Sequence, residues 1–236
     1  LWKPSKQNEP GWDSPWGYGR PGWHLECSAM SEKCLGIPFD IHCGGIDLTF
    51  PHHENEIAQS CSAFKKNSAP ESFCNYWFHN GFVTVNGEKM SKSLGNITLI
   101  NDLLSKYSGP VIRLSLLSSH YRQPLDWSTK ILDQSKKTLK KFENFFKRIP
   151  SDFSLKDFNN DFDNEFLDSL YDDLNTPKAL ASLNKLFDKI KAFNKGDKEI
   201  ILSLIKCFKL LGINLNKNND ENDFVAKSEK KIIFDL

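Results

Sequence analysis

An α/β domain followed by an all-α helical bundle is the fold that the sequence predicts, and three observations predict it. Residues 39–60 run strand, glycine turn, helix; residues 75–90 run strand, Asn-Gly turn, strand; beyond Trp127, apolar residues recur every three or four positions. The chain has 236 residues, enough for one large or two modest domains with a real core. With 39% hydrophobic and 26% charged residues it reads as a soluble globular chain, and no apolar run is long enough to span a bilayer. The opening LWKPSKQNEPGW is not a signal peptide. A net charge of +1 gives no overall basicity that points to nucleic acid, and leaves only a local patch open. Lysine dominates the basic residues and asparagine is abundant, a composition ascribed to genomic bias. Cys27, Cys34, Cys43, Cys61, Cys74 and Cys207 are irregularly spaced in a chain far larger than a disulfide-stapled module. They are expected to be buried or metal-bound thiols in a reducing, cytoplasmic setting.

Residues 1–22, rich in Pro, Gly and Trp, predict a loop pinned by aromatics. So long a loop needs something to lie against, and the chain is expected to begin mid-domain. Residues 23–36 predict a helix from about Leu25, stopped by Gly36. Cys27 falls in its first turn, where the macrodipole is expected to lower a thiol pKa and favour the metal-binding thiolate. A small buried hydrophobe is the competing reading.

Phe39, Ile41 and Cys43 alternate, Gly44 and Gly45 break the pattern, and Pro51 opens a helix. On that helix His52, Glu56, Gln59 and Ala63 share one face, and His53, Ile57, Cys61 and Phe64 another. An imidazole and a carboxylate four residues apart can meet one metal ion. The spacing alone is a weak signal and favours a paired, metal-free arrangement until other ligands appear.

Residues 75–85 predict a strand, Asn86-Gly87 a hairpin turn, and Glu88-Lys89-Met90 the return arm into SKSLGN. Lys89 and Lys92, three apart in a loop followed by Gly95, suit a mobile cationic clamp on a polyphosphate; the bland reading is a solvated turn. A short helix is expected around Ile100–Tyr107, then an apolar run, Val111–Leu117. His120, Tyr121 and Arg122 fit either a phosphate contact or a surface turn. Ser128 predicts the N-cap of a helix carrying Leu132, Leu139, Phe142, Phe146 and Ile149, stopped by Pro150. Phe162, Phe166 and Leu170 mark a second helix, Asn175-Thr176-Pro177 caps a third, and Asp197 opens a fourth closed by Gly212. Four amphipathic helices with short links predict an antiparallel bundle whose aromatics are core. Residues 214–223 read as a polar loop, and the last residues as the start of an element cut short.

Three blocks in order, GRPGWHLECSAM (19–30), DIHCGGIDLTFPHHENEIAQS (40–60) and EKMSKSLGN (88–96), carry a resemblance. Together they resemble the cysteinyl-tRNA synthetase family of bacterial-type class I aminoacyl-tRNA synthetases, strongly over about residues 1–130 and through the family's helical domain over the rest. KMSKS alone marks only the class, whereas GWHLECS followed by FPHHENEIAQS is far more specific. The resemblance implies the second half of a Rossmann-type catalytic domain, with zinc site and KMSKS loop, over residues 1–96. It implies a stem-contact connection over 97–128 and an antiparallel helical bundle, truncated at its end, over 129–236. One zinc per subunit is implied, with Cys27, His52 and Glu56 as ligands and a further cysteine upstream of this sequence. Trp23 matches a position beside the substrate side chain. Gly45 and Asp47 match the class's glycine-x-aspartate element in ATP binding, Asp47 toward a ribose hydroxyl. Lys89 and Lys92 are implied as the catalytic clamp on the ATP triphosphate, Lys92 foremost. His53 is read as a packed core histidine, and Cys43, where the family has glycine, as structural.

The implied reaction is ATP-dependent activation of L-cysteine to cysteinyl-adenylate, with Mg²⁺ accompanying ATP, and transfer to the terminal ribose of tRNA(Cys). Zinc is implied as the selector of the substrate thiolate, because shape separates cysteine from serine poorly. A monomeric, cytoplasmic enzyme is expected. The family's HIGH motif does not occur in this sequence, so an N-terminal half of the same polypeptide is expected. Two other readings share features. The ATP-dependent cysteine ligase of mycothiol synthesis has the zinc and KMSKS blocks but uses a sugar amine instead of tRNA, and the Lys/Asn-rich composition disfavours it. A non-catalytic zinc- and tRNA-binding module applies if the native chain is this short.

Overall fold

The computed structural model describes residues 1–64, 70–85, 87–91, 93–149, 162–190 and 197–215. The chain divides into two compact units, Leu1–Phe82 and Val83–Leu236.

In the first unit the expected loop is closed at its base by an antiparallel ladder, β1 (Trp2–Pro4) with β2 (Gly19–Pro21). The Trp2 indole N–H pins the intervening chain by donating to Gly17 O at 3.2 Å. Helix α1 (Trp23–Leu35) starts two residues earlier than expected, directly after Gly22, and stops at Gly36, whose φ of +78° suits only glycine well. Strand β3 (Phe39–Gly45) runs through both glycines instead of breaking at them. The physical reason lies at Gly44: an added Cβ would come within 2.8 Å of the His53 ring, so glycine there marks a close approach, not a turn. After short turns at Ile46–Leu48 and Thr49–His53 the chain enters α2 (Glu54–Ala63). Phe50 is extended at φ −134° and ψ 134°, the conformation a following proline imposes, and helical geometry begins at Pro51.

Strand β4 (Cys74–Asn80) pairs parallel with β3, Phe39 opposite Cys74 and Gly45 opposite Asn80. β3, α2 and β4 thus make a βαβ unit. Its small core joins Ile57 and Cys61 of α2 to Phe39, Phe73 and Cys74. Phe64, expected on that face, is exposed at the helix end. Ser28 Oγ donates to Gln59 Oε1 at 3.1 Å and ties the second turn of α1 to the second turn of α2.

The second unit opens with the expected hairpin. In it β5 (Val83–Val85) pairs with β6 (Glu88–Lys89), Thr84 opposite Lys89, across a turn with Gly87 at φ +80°. Asn86 lies outside the described residues. The single strand expected over 75–85 is therefore two, β4 and β5. After α3 (Ile100–Leu104), shorter than expected, and α4 (Gly109–Leu117), strand β7 (Leu125–Asp126) joins β5 in parallel to complete the order β6-β5-β7.

Four helices follow: α5 (Thr129–Lys147), α6 (Asn164–Tyr171), α7 (Thr176–Asp188) and α8 (Asp197–Leu210). Ser128 is the N-cap residue of α5 but makes no side-chain cap. Asp163 and Asn175 do cap, accepting from Phe166 N–H at 2.9 Å and Lys178 N–H at 3.2 Å. The apolar stripes of the four helices converge on Phe142, Phe166, Leu183, Ile201, Leu204 and Phe208. Pro150 and residues 216–236, with most of the expected polar loop and the final element, lie outside the described residues. No helix among the described residues is long and apolar enough to cross a membrane.

The segment His120–Arg122 forms a turn whose Tyr121 and Arg122 donors meet Asp173 at the surface. Tyr121 O–H donates to Asp173 Oδ1 at 2.6 Å, and Arg122 Nε and Nη2 donate to Oδ2 at 2.5 Å and Oδ1 at 3.1 Å. Asp173 and Leu174 have φ of +54° and +53°, left-handed geometry that costs non-glycine residues of order 1–3 kcal/mol each. The clamp holds that strained turn in place. The Arg122 and Tyr121 hydrogen bonds lower the Asp173 carboxyl to about 2. A pKa depressed on folding gives stability that is present above the unfolded value and lost as pH falls through the folded one. Asp173→Asn is therefore expected to melt below the parent at pH 7, with the gap closing between about pH 4 and pH 2. Melting curves at both ends of that range check it; a gap that stays constant removes the charge from the explanation.

Candidate functional site

Glu56 is the centre of the site in the first unit. It is 0% exposed, with Oε1 3.0 Å from His52 Nε2 and Oε2 2.8 Å from His42 Nε2. Neither oxygen, however, has a partner at hydrogen-bonding angles. Burial works to raise its pKa, but His42, His52 and Cys27 outweigh burial and hold it below the ordinary carboxylate value. A buried anion without aligned donors fits a cation.

The ligand atoms of Cys27, His52 and Glu56 all lie within 4.8 Å of one another. Bonds of about 2.0–2.3 Å place the donors of a tetrahedral ion roughly 3.3–3.8 Å apart, so this sulfur, nitrogen and oxygen set fits zinc. One expectation is overturned. Burial first, then the Glu56 and Glu26 charges, push the Cys27 thiol up to about 11, where the helix dipole was expected to lower it. Because α1 begins at Trp23, Cys27 lies just past the first turn, where the dipole has faded, whereas an adjacent buried carboxylate acts at close range. A cation between thiol and carboxylate would reverse that sign.

His52 is oriented for ligation by its other nitrogen. Nδ1 lies 2.6 Å from Nδ1 of His24, so a proton there, donated to His24, leaves Nε2 as a lone pair facing Glu56 and Cys27. His24 was missed in the sequence. Its signal was its place three residues before Cys27, on the same helical face. Trp23, four residues before Cys27, stacks against His52 at 4.6 Å between ring centroids and stays 57% exposed, so it walls the cluster on its open side.

A second group, His42, His53 and Glu56, also has its ligand atoms within 4.8 Å. His53 is 3% exposed, with Nδ1 2.9 Å from His79 Nε2 and the rings of His42 and Trp77 packed at 4.8 Å and 5.2 Å. It is the packed histidine expected. Burial, then the charge of His42, lowers it to about 4 and keeps the ring neutral. The sequence did not reveal His42 and His79 as its neighbours. They come from two paired strands, with Gly44 beside His79 in register. Cys43 points to the opposite face from His42 and is exposed, outside both groups.

Gly45 and Asp47 sit at the carboxyl end of β3, where open α/β sheets place their ligands. A Cβ on Gly45 would lie 2.5 Å from Asp47 Oδ1, so glycine admits the carboxylate. In the second unit Lys89 is exposed on β6, and Lys92 lies outside the described residues.

Comparison with known proteins divides the chain later than its two compact units do. The model of the tRNA synthetases class I (C) catalytic domain matches residues 1–137, and that of the DALR domain matches residues 165–225. The chain is 52% identical over 221 residues to a cysteine–tRNA ligase of Pelagibacter ubique, covering 94% of this chain and 46% of the relative. It is 55% identical over 186 residues to that of Maricaulis maris, covering 79% and 39%. The chain thus spans less than half the length of these curated relatives. In fold it is similar to LeuRS of Agrobacterium radiobacter K84, solved with tRNA and LeuAMS. There the TM-score is 0.59 at 17% identity, over 86% of this chain and 32% of that one.

Proposed function

Because the chain belongs to the family of class I (C) tRNA synthetases, we propose that it forms the amino-acid-selecting part of a cysteine–tRNA ligase. The observation that carries this reading is the convergence of Cys27 and His52 on the buried, unaligned carboxylate of Glu56. These three side chains would hold zinc, with a further ligand from outside this sequence. When bound, zinc supplies a soft-ligand bond to a substrate thiolate that a serine hydroxyl cannot match.

The remaining roles belong to the chain's own residues. His24 holds the proton on His52 Nδ1 and keeps Nε2 free. Trp23 walls the side-chain pocket. Asp47, admitted by Gly45, meets a ribose hydroxyl of ATP. Lys89 and Lys92 neutralise the triphosphate, with Mg²⁺ accompanying ATP. The cysteine carboxylate attacks the α-phosphate and pyrophosphate leaves. The terminal ribose hydroxyl of tRNA(Cys) then attacks the acyl carbon of the adenylate and AMP leaves. Positioning and charge stabilisation account for both steps. On this reading residues 1–96 serve amino-acid and ATP binding, 97–128 connect toward the tRNA stem, and 129–236 form the tRNA-side bundle of a cytoplasmic, monomeric enzyme.

Pyrophosphate exchange by the native gene product tests it. Exchange that needs both cysteine and ATP, followed by transfer to tRNA(Cys), is the expected result. Zinc binding without exchange replaces it with a binding module, and transfer to glucosaminyl-inositol instead of tRNA replaces it with the mycothiol-type ligase.

A further inference from the structure

We propose that Asn96 is a positioning residue that fixes the backbone from which Lys89 meets a polyphosphate, an inference that rests on the phosphate-clamp reading of that loop. Its side-chain amide works in both directions. Oδ1 accepts from Ser91 N–H at 2.8 Å, and Nδ2 donates to Lys89 O at 3.3 Å. These two groups flank Met90, whose own N–H turns the other way and donates to Val83 O at 3.1 Å.

In extended chain, successive residues direct their polar groups to opposite sides, so Lys89 O and Ser91 N–H are the pair a next strand would take. β6 is the edge of its sheet, and no described strand lies beyond it. The planar amide of Asn96, with one donor and one acceptor side, stands in for the missing peptide group. Gly95, at φ +64°, gives the chain the left-handed residue just before Asn96 turns back to that edge.

The opposite side of the hairpin is anchored differently. Asp126 Oδ1 accepts from Gly87 N–H at 2.9 Å and from Thr84 Oγ1 at 3.0 Å. The next residue, Trp127, donates its N–H to Thr84 O at 2.7 Å and is buried in the core of the helical unit. One side of the hairpin is thus fixed to a packed core, and among the described residues the Asn96 amide bridges Lys89 and Ser91 on the other. Lys89 lies between the two. Charge stabilisation of a transferring phosphoryl group needs the ammonium placed to within about half an ångström, and a backbone free to slide removes that accuracy. Asn96 therefore acts through Lys89, not on the substrate.

The test is a double-variant cycle in the native gene product, read by cysteine-dependent pyrophosphate exchange. Asn96→Ala is expected to lower kcat on the order of 10–100-fold, with the KM for cysteine and the zinc content unchanged. Because it acts through Lys89, adding Asn96→Ala to Lys89→Ala is expected to cost less than about a further twofold. Losses that multiply, or a parental rate in Asn96→Ala, overturn the proposal. Failure of the underlying reading looks different: no exchange in the parent, or a parental rate in Lys89→Ala. Exchange that responds to Lys89→Ala but not to Asn96→Ala removes only the role of Asn96.

Discussion

Replacing Cys27 by serine is expected to abolish zinc retention and the preference for cysteine over serine together. The three donors differ in what they contribute. In the proposed site His52 would contribute a ring nitrogen and Glu56 a carboxylate, so Cys27 alone would supply soft thiolate character. A serine hydroxyl stays protonated and hard, and the loss of metal affinity should exceed about 100-fold, more than outer-shell changes cost. The same residue sets the pH dependence. Without metal the thiol titrates at about 11, so zinc binding at neutral pH must expel its proton. Apparent affinity therefore rises with pH, by up to about tenfold per unit while one proton leaves with each ion bound. Metal content after dialysis against a weak chelator, at several pH values, together with exchange rates for cysteine and serine, measures all of this. Full occupancy with unchanged discrimination in the variant would sink the assignment. So would an affinity that does not respond to pH.

How far the sequence reaches is decided by whether a feature is local. His52 and Glu56 were legible because four residues of helix bring them to one face without help from the rest of the chain. Asn175 was legible as a cap for the same reason. Cys27 was singled out through its motif, and the structure places its sulfur beside His52 and Glu56, but its surroundings were not legible. Those depend on Glu56, which arrives from another helix. His24, His42 and His79 come from α1, β3 and β4, and only strand register and helix packing gather them around the ligands. Gly44 misled because a glycine in a strand pattern reads as a break, while here it leaves room for an imidazole. The left-handed pair Asp173–Leu174 gave no signal, since leucine disfavours that geometry and the clamp that enforces it lies about fifty positions away. The four bundle helices were readable because a 3.6-residue apolar period is itself a local property, although Phe162, Ile149 and Ile190 fall just outside the helices they were expected to mark.

That period also marks where the second unit is most vulnerable, and Phe142→Ala is expected to destabilise it by about 3–5 kcal/mol. Phe142 is 1% exposed on the apolar stripe of α5. Its ring meets Phe187 of α7 edge-on at 5.0 Å and Phe208 of α8 at 4.7 Å. One side chain thus joins three helices, and no single neighbour can move in to fill its volume without leaving another contact. The lost transfer energy and the cavity term therefore add, and edge-to-face contacts of about 0.5–1.5 kcal/mol each disappear with them. Against a total stability of roughly 5–15 kcal/mol this is a large fraction, and melting should fall by roughly 6–20 °C. Phe142→Leu keeps most of the volume and should cost markedly less. Denaturant titration of both variants measures the difference, and near-equal losses would mean that the shape and edge contacts of the ring, not its apolar volume, carry the stability. Zinc content below the melting range should stay at the parental level in both. Cys27, His52 and Glu56 are set by a separate core of Phe39, Ile57 and Phe73, so a variant that loses metal while still folded would show the two units to be energetically one.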